Sequence, residues 1–148
     1  MKRTAVILTL IMGTMTLYFG GRTLAEHKEK EAVRIPLENY LKGHETGKAE
    51  FMEKAFYSEG KLMFIRDGKY TTIDFKDYIG RMKGEAAPDE DQRKRHIESI
   101  DVSGNAAVGK IVLDYPSVKF VDYMTLLKID GEWKIVNKAF YAEPKEKN

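Results

Sequence analysis

Val33, Leu37, Tyr40 and Leu41 recur at i, i+4, i+7 and i+8, which lays them in one stripe of a helix over residues 26–42. Pro36 falls inside that stripe. It has no N–H, and its ring clashes with the carbonyl four residues earlier, so it predicts a kink or the true helix start. Gly43 and Gly47 close the element. A second helix over 48–57 puts Phe51, Met52, Ala55 and Phe56 on one face and ends at Gly60. Residues 62–65 and 70–73 are short β-prone runs around Asp67-Gly68, a two-residue hairpin signal. Asp74 is placed to cap a third helix with Phe75, Tyr78, Ile79 and Met82 as its apolar face, closed by Gly84 before a polar loop over 85–92.

Beyond that loop the pattern is β throughout. Strands are predicted over 94–102, 106–115, 118–129 and 133–141, with turns at Gly104-Asn105, Pro116-Ser117 and Asp130-Gly131. Helices followed by a meander of long strands make an α+β domain in which three helices pack on one face of a bent antiparallel sheet.

The N-terminus reads differently. Lys2 and Arg3 precede an uncharged stretch over 4–21 rich in Val, Ile, Leu and Met, and Thr23-Leu24-Ala25 supplies small residues where a signal peptidase reads. The division is therefore a signal peptide over 1–25, a domain over 26–144 and a charged tail over 145–148. The protein is expected to be exported, to the periplasm or the medium, and to leave the membrane on cleavage. The alternative is an anchor, because about 18 uncharged residues lie at the short edge of a bilayer span.

Charge follows this division. The first 25 residues hold three basic groups and no acid, so the rest carries 22 Lys and Arg against 23 Asp and Glu, a net charge of −1. The mature domain thus lacks the basic excess that nucleic-acid binding requires. The absence of cysteine excludes disulfides, thiol catalysis and thiolate metal sites. His27, His44 and His96 have no metal-ligand spacing, and no HExxH, P-loop, GxGxxG or GxSxG pattern occurs, so neither a metal nor a cofactor is expected.

A two-residue turn at Asp130-Gly131 pairs Ile129 with Glu132, and counting outward fixes the faces of the last hairpin. One face carries Asp122, Met124, Leu126 and Lys128 opposite Ala139, Asn137, Ile135 and Trp133. The other carries Tyr123, Thr125 and Leu127 opposite Lys138, Val136 and Lys134, joined by Val121 and Phe140. Both are half apolar, which predicts helices over one and a second copy of the chain over the other. The same counting about Gly104-Asn105 sets His96 and Glu98 on an otherwise apolar face.

Asp122, Asn137 and His96 are thus the candidate polar groups of a pocket. Asp122 is either a general base or ligand acceptor, or a carboxylate satisfied by a strand-end amide, a lysine or a tyrosine. His96 is either an acid or base, or a solvated side chain in the basic run 93–96. Asn137, if buried, holds a ligand or a backbone group. Met124 joins them on the apolar face, and Trp133 and Tyr141 are candidate stacking walls for a flat heterocycle. The acidic residues of 85–91 followed by Arg93, Lys94 and Arg95 read as a solvated loop or as an anion site.

Five segments carry a family resemblance: Pro36-Leu37-Glu38-Asn39-Tyr40, residues 56–64, residues 99–107, Asp114-Tyr115-Pro116, and above all the final hairpin over 120–138. Through them residues 33–145 resemble the cone-shaped, cystatin-like nuclear-transport-factor-two-like superfamily, and within it the small exported bacterial branch named for lumazine binding. The resemblance implies a pocket. That scaffold hosts dehydratases, isomerases, epoxide hydrolases, polyketide cyclases and plain binding modules, so it fixes no single use. Three functions follow. The first is a dimeric binding protein for a small apolar or aromatic molecule. The second is a cofactor-free lyase or isomerase, a dehydratase or a ketosteroid-isomerase-like proton-transfer enzyme, with Asp122 as base and His96, Tyr57 or Tyr70 as partner. The third is an interaction module whose pocket is filled by its own side chains.

Overall fold

The computed structural model describes residues 3–146, with side chains from residue 24 onward. Helix α1 (Arg3–Thr46) and helix α2 (Ala49–Ala55) lead into strands β1 (Phe56–Arg66) and β2 (Lys69–Asp74). Helix α3 (Phe75–Ile79) and a 3-10 turn at Glu90–Gln92 follow, and then β3 (Lys94–Ser103), β4 (Ala106–Asp114), β5 (Val118–Ile129) and β6 (Glu132–Pro144). The strands form one sheet in the order β2-β1-β6-β5-β4-β3. Its pairings are antiparallel except β1 with β6, so the sheet is mixed where a fully antiparallel one was expected. The parallel pair arises because the chain leaves β2 through α3 and returns at the far edge as β3, bringing β6 back to the middle beside β1.

Helix α1 continues on both sides of Pro36, so the proline is not the start of the helix. An interior proline costs about 3 kcal/mol. Val33, Leu37 and Tyr40 around it are all fully buried on the sheet, and burying side chains of that size contributes about 1.5–3 kcal/mol each. Helix α2 ends earlier than its pattern suggests. Phe56, expected on the helix, starts β1 and stacks on Phe75 of α3 with ring centroids 4.5 Å apart.

Asp130 and Gly131 both have positive φ, 50° and 85°, the two-residue turn expected there, and it pairs Ile129 with Glu132. On β4, Gly109 lets α1 sit directly on the sheet: a Cβ there would lie 2.7 Å from Leu37 Cδ1.

The expected export segment over 1–25 falls mostly on residues whose side chains lie outside the described ones, as do residues 147 and 148 of the expected tail. Among the described residues no helix is long and apolar enough to cross a membrane. The first tertiary polar contacts of α1 in that set are made by Glu29, which accepts bonds from Lys128 Nζ at 2.8 Å and Trp133 Nε1 at 2.9 Å.

Candidate functional site

The inner face of the final hairpin begins as counted, with Leu126 opposite Ile135, but the next pair is Thr125 with Asn137. Val136 is therefore an unpaired bulge residue. One extra residue reverses the facing of everything beyond it. Lys138 and Phe140, expected outside, turn in beside Met124 and Asp122, while Asn137 and Ala139 turn out beside Thr125 and Tyr123. The parallel neighbour shifts at the same level, passing from Phe56 opposite Ile135 to Lys61 opposite Asn137.

The bulge assembles a buried polar cluster. Tyr40 Oη donates to Asp122 Oδ2 at 2.5 Å, and Lys138 Nζ donates to Tyr40 Oη at 2.8 Å and to Asp122 Oδ2 at 3.2 Å. Tyr40 and Asp122 are fully buried and Lys138 is 4% exposed. Asp122 Oδ1 is buried without a hydrogen-bond partner. Burial pushes the Lys138 amine below the ordinary lysine range, opposed by the Asp122 charge. Burial, and then the same charge, holds the Tyr40 phenol well above its usual value.

One turn further along α1, His44 continues the cluster. Tyr78 Oη lies 3.0 Å from its Nε2 and Tyr115 Oη 3.2 Å from its Nδ1, and its ring meets Tyr40 edge-on at 4.6 Å. A neutral imidazole offers one N–H and one lone pair, so it donates to one phenol and accepts from the other. Burial holds His44 in that state, well below its ordinary pKa, and the charges of Lys138, Arg95 and Arg93 act in the same direction.

Above these groups opens a cavity of about 180 Å³ between the concave face and the helices. Its walls are Leu62, Phe64, Ile73, Leu113, Phe120 and Phe140 with Tyr78. Lys138 and His44 supply polar groups, and Arg66 and Arg81 are exposed at its edge. A cavity near 150 Å³ accommodates benzene and drug-sized sites start near 300 Å³, so this one has room for a one- or two-ring molecule. A larger cleft of about 390 Å³ lies outside the cone, between α1 and the β5–β6 turn, lined by Ala32, Ile35, Pro36, Asn39, Lys54 and Trp133 among others. It holds no comparable cluster of buried titratable groups.

The structure distributes the sequence candidates as follows. Asp122 and Met124 are buried on the inner face, Asp122 with a lysine and a tyrosine as partners. Asn137 is on the outer face, turned there by the bulge, with its Oδ1 unpartnered. Trp133 is buried but lines the outer cleft and is tied to Glu29, too near the turn to wall the cavity. Tyr141 pairs with Val121 on the outer face and is 63% exposed. His96 is exposed: Arg95 and Ile97 turn inward, and a bulge between Ile97 and Ser99 restores the expected facing of Ile100 and Val102 only beyond it. The charged loop closes on itself through half-buried ion pairs, Arg93 with Asp89 and Arg95 with Glu90, and both guanidinium groups lie over the Tyr115 ring. No cluster of metal-ligating side chains occurs among the described residues.

Lys138, Tyr40, His44 and Tyr78 were missed as site residues. Tyr40 and His44 were within reach, because positions 33, 37, 40 and 44 continue one helical stripe. For Lys138 no local signal marks the bulge.

Comparisons with known proteins place the chain among relatives. The model of the family described as "Putative lumazine-binding" matches residues 28–141. Aldolase FrzH from Cladobotryum sp is 24% identical over 127 residues, covering 82% of this chain and all of that protein. An NTF2-like protein of unknown function from Shewanella baltica OS155 superposes with a TM-score of 0.71 at 26% identity, covering 80% of this chain and 96% of its own. A similar protein from Methylobacillus flagellatus KT gives 0.68 at 26%, covering 78% and 93%.

Proposed function

The chain belongs to the lumazine-binding-type family of nuclear-transport-factor-two-like proteins, and from that premise we propose that it binds a small, flat, largely apolar molecule in the aromatic cavity of the cone. The observation that carries this is the cavity itself: about 180 Å³ walled by Phe64, Phe120, Phe140 and Tyr78, with a lysine amine and an imidazole as its polar groups. The rings hold the ligand's body, and Lys138 takes an electronegative atom on it. Native mass spectrometry of the purified protein, followed by titration with the two-ring probes lumazine and indole, tests the reading. Phe140→Ala is expected to weaken binding about tenfold, a loss of ~1.4 kcal/mol, and Trp133→Phe to leave it unchanged. A folded protein that carries no ligand and binds neither probe would overturn it.

A cofactor-free lyase is the second reading, favoured by the aldolase name of the Cladobotryum relative and by the buried amine, phenol and carboxylate beside the cavity. In this version Lys138 and Tyr40 stand where His96 was expected to serve.

Export and pairing complete the proposal. Cleavage after Ala25 removes residues 1–25 while keeping Glu29 and its bonds to Lys128 and Trp133, so a mature domain over 26–144 retains those contacts. N-terminal sequencing of the exported protein checks this; an intact N-terminus held in the membrane would favour the anchor. A second copy is proposed to cover the outer sheet face, where Val108, Tyr123, Leu127 and Tyr141 are exposed. Light scattering is expected to give twice the chain mass, reduced to one by Tyr123→Glu.

A further inference from the structure

The geometry points to Lys138 as an amine nucleophile that captures an aldehyde or ketone entering the aromatic cavity, forming an imine on Nζ while Asp122 and Tyr40 exchange the protons. This rests on the pocket reading above and adds the chemical class of the ligand.

Lys138 sits on the cavity wall and is 4% exposed. Its Nζ lies 4.5 Å from the centroid of Phe140 and 5.2 Å from that of Tyr40. A buried ion pair is a weak device for stability, because desolvation offsets most of the attraction and an apolar pair of the same volume does as well. Chemistry gives the amine a reason to be there. Of its three donors, Tyr40 Oη and Asp122 Oδ2 take two, and no third acceptor appears among the described residues. Burial lowers its hold on its proton, which frees the lone pair that attacks carbonyl carbon. Asp122 is equipped to take that proton: Oδ2 is 3.2 Å away, and Oδ1 is buried and unpartnered.

The step balances with nothing added. The Lys138 ammonium gives one proton to the Asp122 carboxylate. The freed amine adds to the carbonyl carbon, forming the C–N bond as the C=O π pair moves to oxygen. A nitrogen proton then passes to that oxygen through the Tyr40 hydroxyl, which bridges Nζ and Oδ2 at 2.8 and 2.5 Å. Asp122 returns its proton to the resulting hydroxyl, the C–O bond breaks, water leaves, and the nitrogen lone pair closes the protonated C=N. The sum is ammonium plus carbonyl giving iminium plus water, with the carboxylate restored and no redox change.

Benzaldehyde with sodium cyanoborohydride at neutral pH, followed by peptide mass mapping of the full chain, is the test. Benzylation of Lys138 is expected to run about tenfold faster than that of the surface lysines, which lie outside any aromatic cavity that would hold the aldehyde against the amine. Excess benzyl alcohol, which has the ring but no carbonyl, is expected to protect Lys138 alone, and Lys138→Arg to lose only the fast site. The wild-type map needs no variant to fold. If benzyl alcohol shifts the NMR signals of the cavity residues while Lys138 is labelled no faster than surface lysines, the imine assignment fails and the pocket stands. If benzyl alcohol does not bind and no fast site appears, both readings fail.

Discussion

Lys138→Met removes one charge from a pair that water hardly reaches. Nζ and Oδ2 are 3.2 Å apart, with Asp122 fully buried and Lys138 4% exposed. Two unit charges at that separation attract by about 5 kcal/mol at an effective dielectric constant of ~20, and breaking buried pairs from one side costs about 3–5 kcal/mol. Asp122 would keep a single partner, the Tyr40 hydroxyl. Total stabilities run at about 5–15 kcal/mol, so the variant is expected to lose a large fraction of its own. At this size that is a fall in Tm of about 10–20 °C, read by circular dichroism and checked by urea unfolding at pH 7. Adding Asp122→Leu removes the stranded charge and is expected to restore all but about 1–3 kcal/mol, the cost of the Tyr40 hydroxyl left alone. Tyr40→Phe should then recover that remainder. A single variant within about 1 kcal/mol of wild type, or a double variant whose losses simply add, would refute the coupled buried pair.

Further outcomes follow from single contacts. Burial holds His44 neutral in the folded state, with its pKa below the unfolded value of about 6.5. Its contribution to stability is therefore fully present above pH 6.5 and lost as pH falls below it. The protein is expected to melt lower at pH 5 than at pH 7.5, with a smaller difference in His44→Gln; equal differences would contradict the buried imidazole. Gly109→Ala drives a Cβ to 2.7 Å from Leu37 Cδ1 and is expected to cost about 1–3 kcal/mol by urea unfolding, relieved by Leu37→Val. Trp133→Phe removes one of the two side chains that donate to Glu29 and is expected to lower Tm while probe affinity in the cone stays the same. His96→Ala alters an exposed side chain and should shift neither stability, beyond about 0.5 kcal/mol, nor binding.

Most of the fold was legible in residue order. The stripe through Val33, Leu37 and Tyr40, the turns at Asp67-Gly68 and Asp130-Gly131 and the four long strands all form where the pattern puts them, because periodicity and turn chemistry act within a few residues. Pro36 does not start α1, because burial of its neighbours against a distant sheet outweighs a local penalty. The parallel β1–β6 pairing was hidden because topology joins segments about 75 residues apart. The site depended on a smaller event. Counting from the turn gives the correct facing from Ile129 back to Asp122, and it fails on β6 at Val136 alone. A strand alternates with period two, so that unpaired residue turned Lys138 and Phe140 inward and sent Asn137 and Tyr141 outward. The sequence by itself determined an α+β domain with a largely apolar inner sheet face and a carboxylate on it, and the family resemblance implied its cone shape. Only the tertiary structure decided which groups meet that carboxylate, because the bulge and the approach of α1 are set by packing across the sheet and leave no mark on local composition.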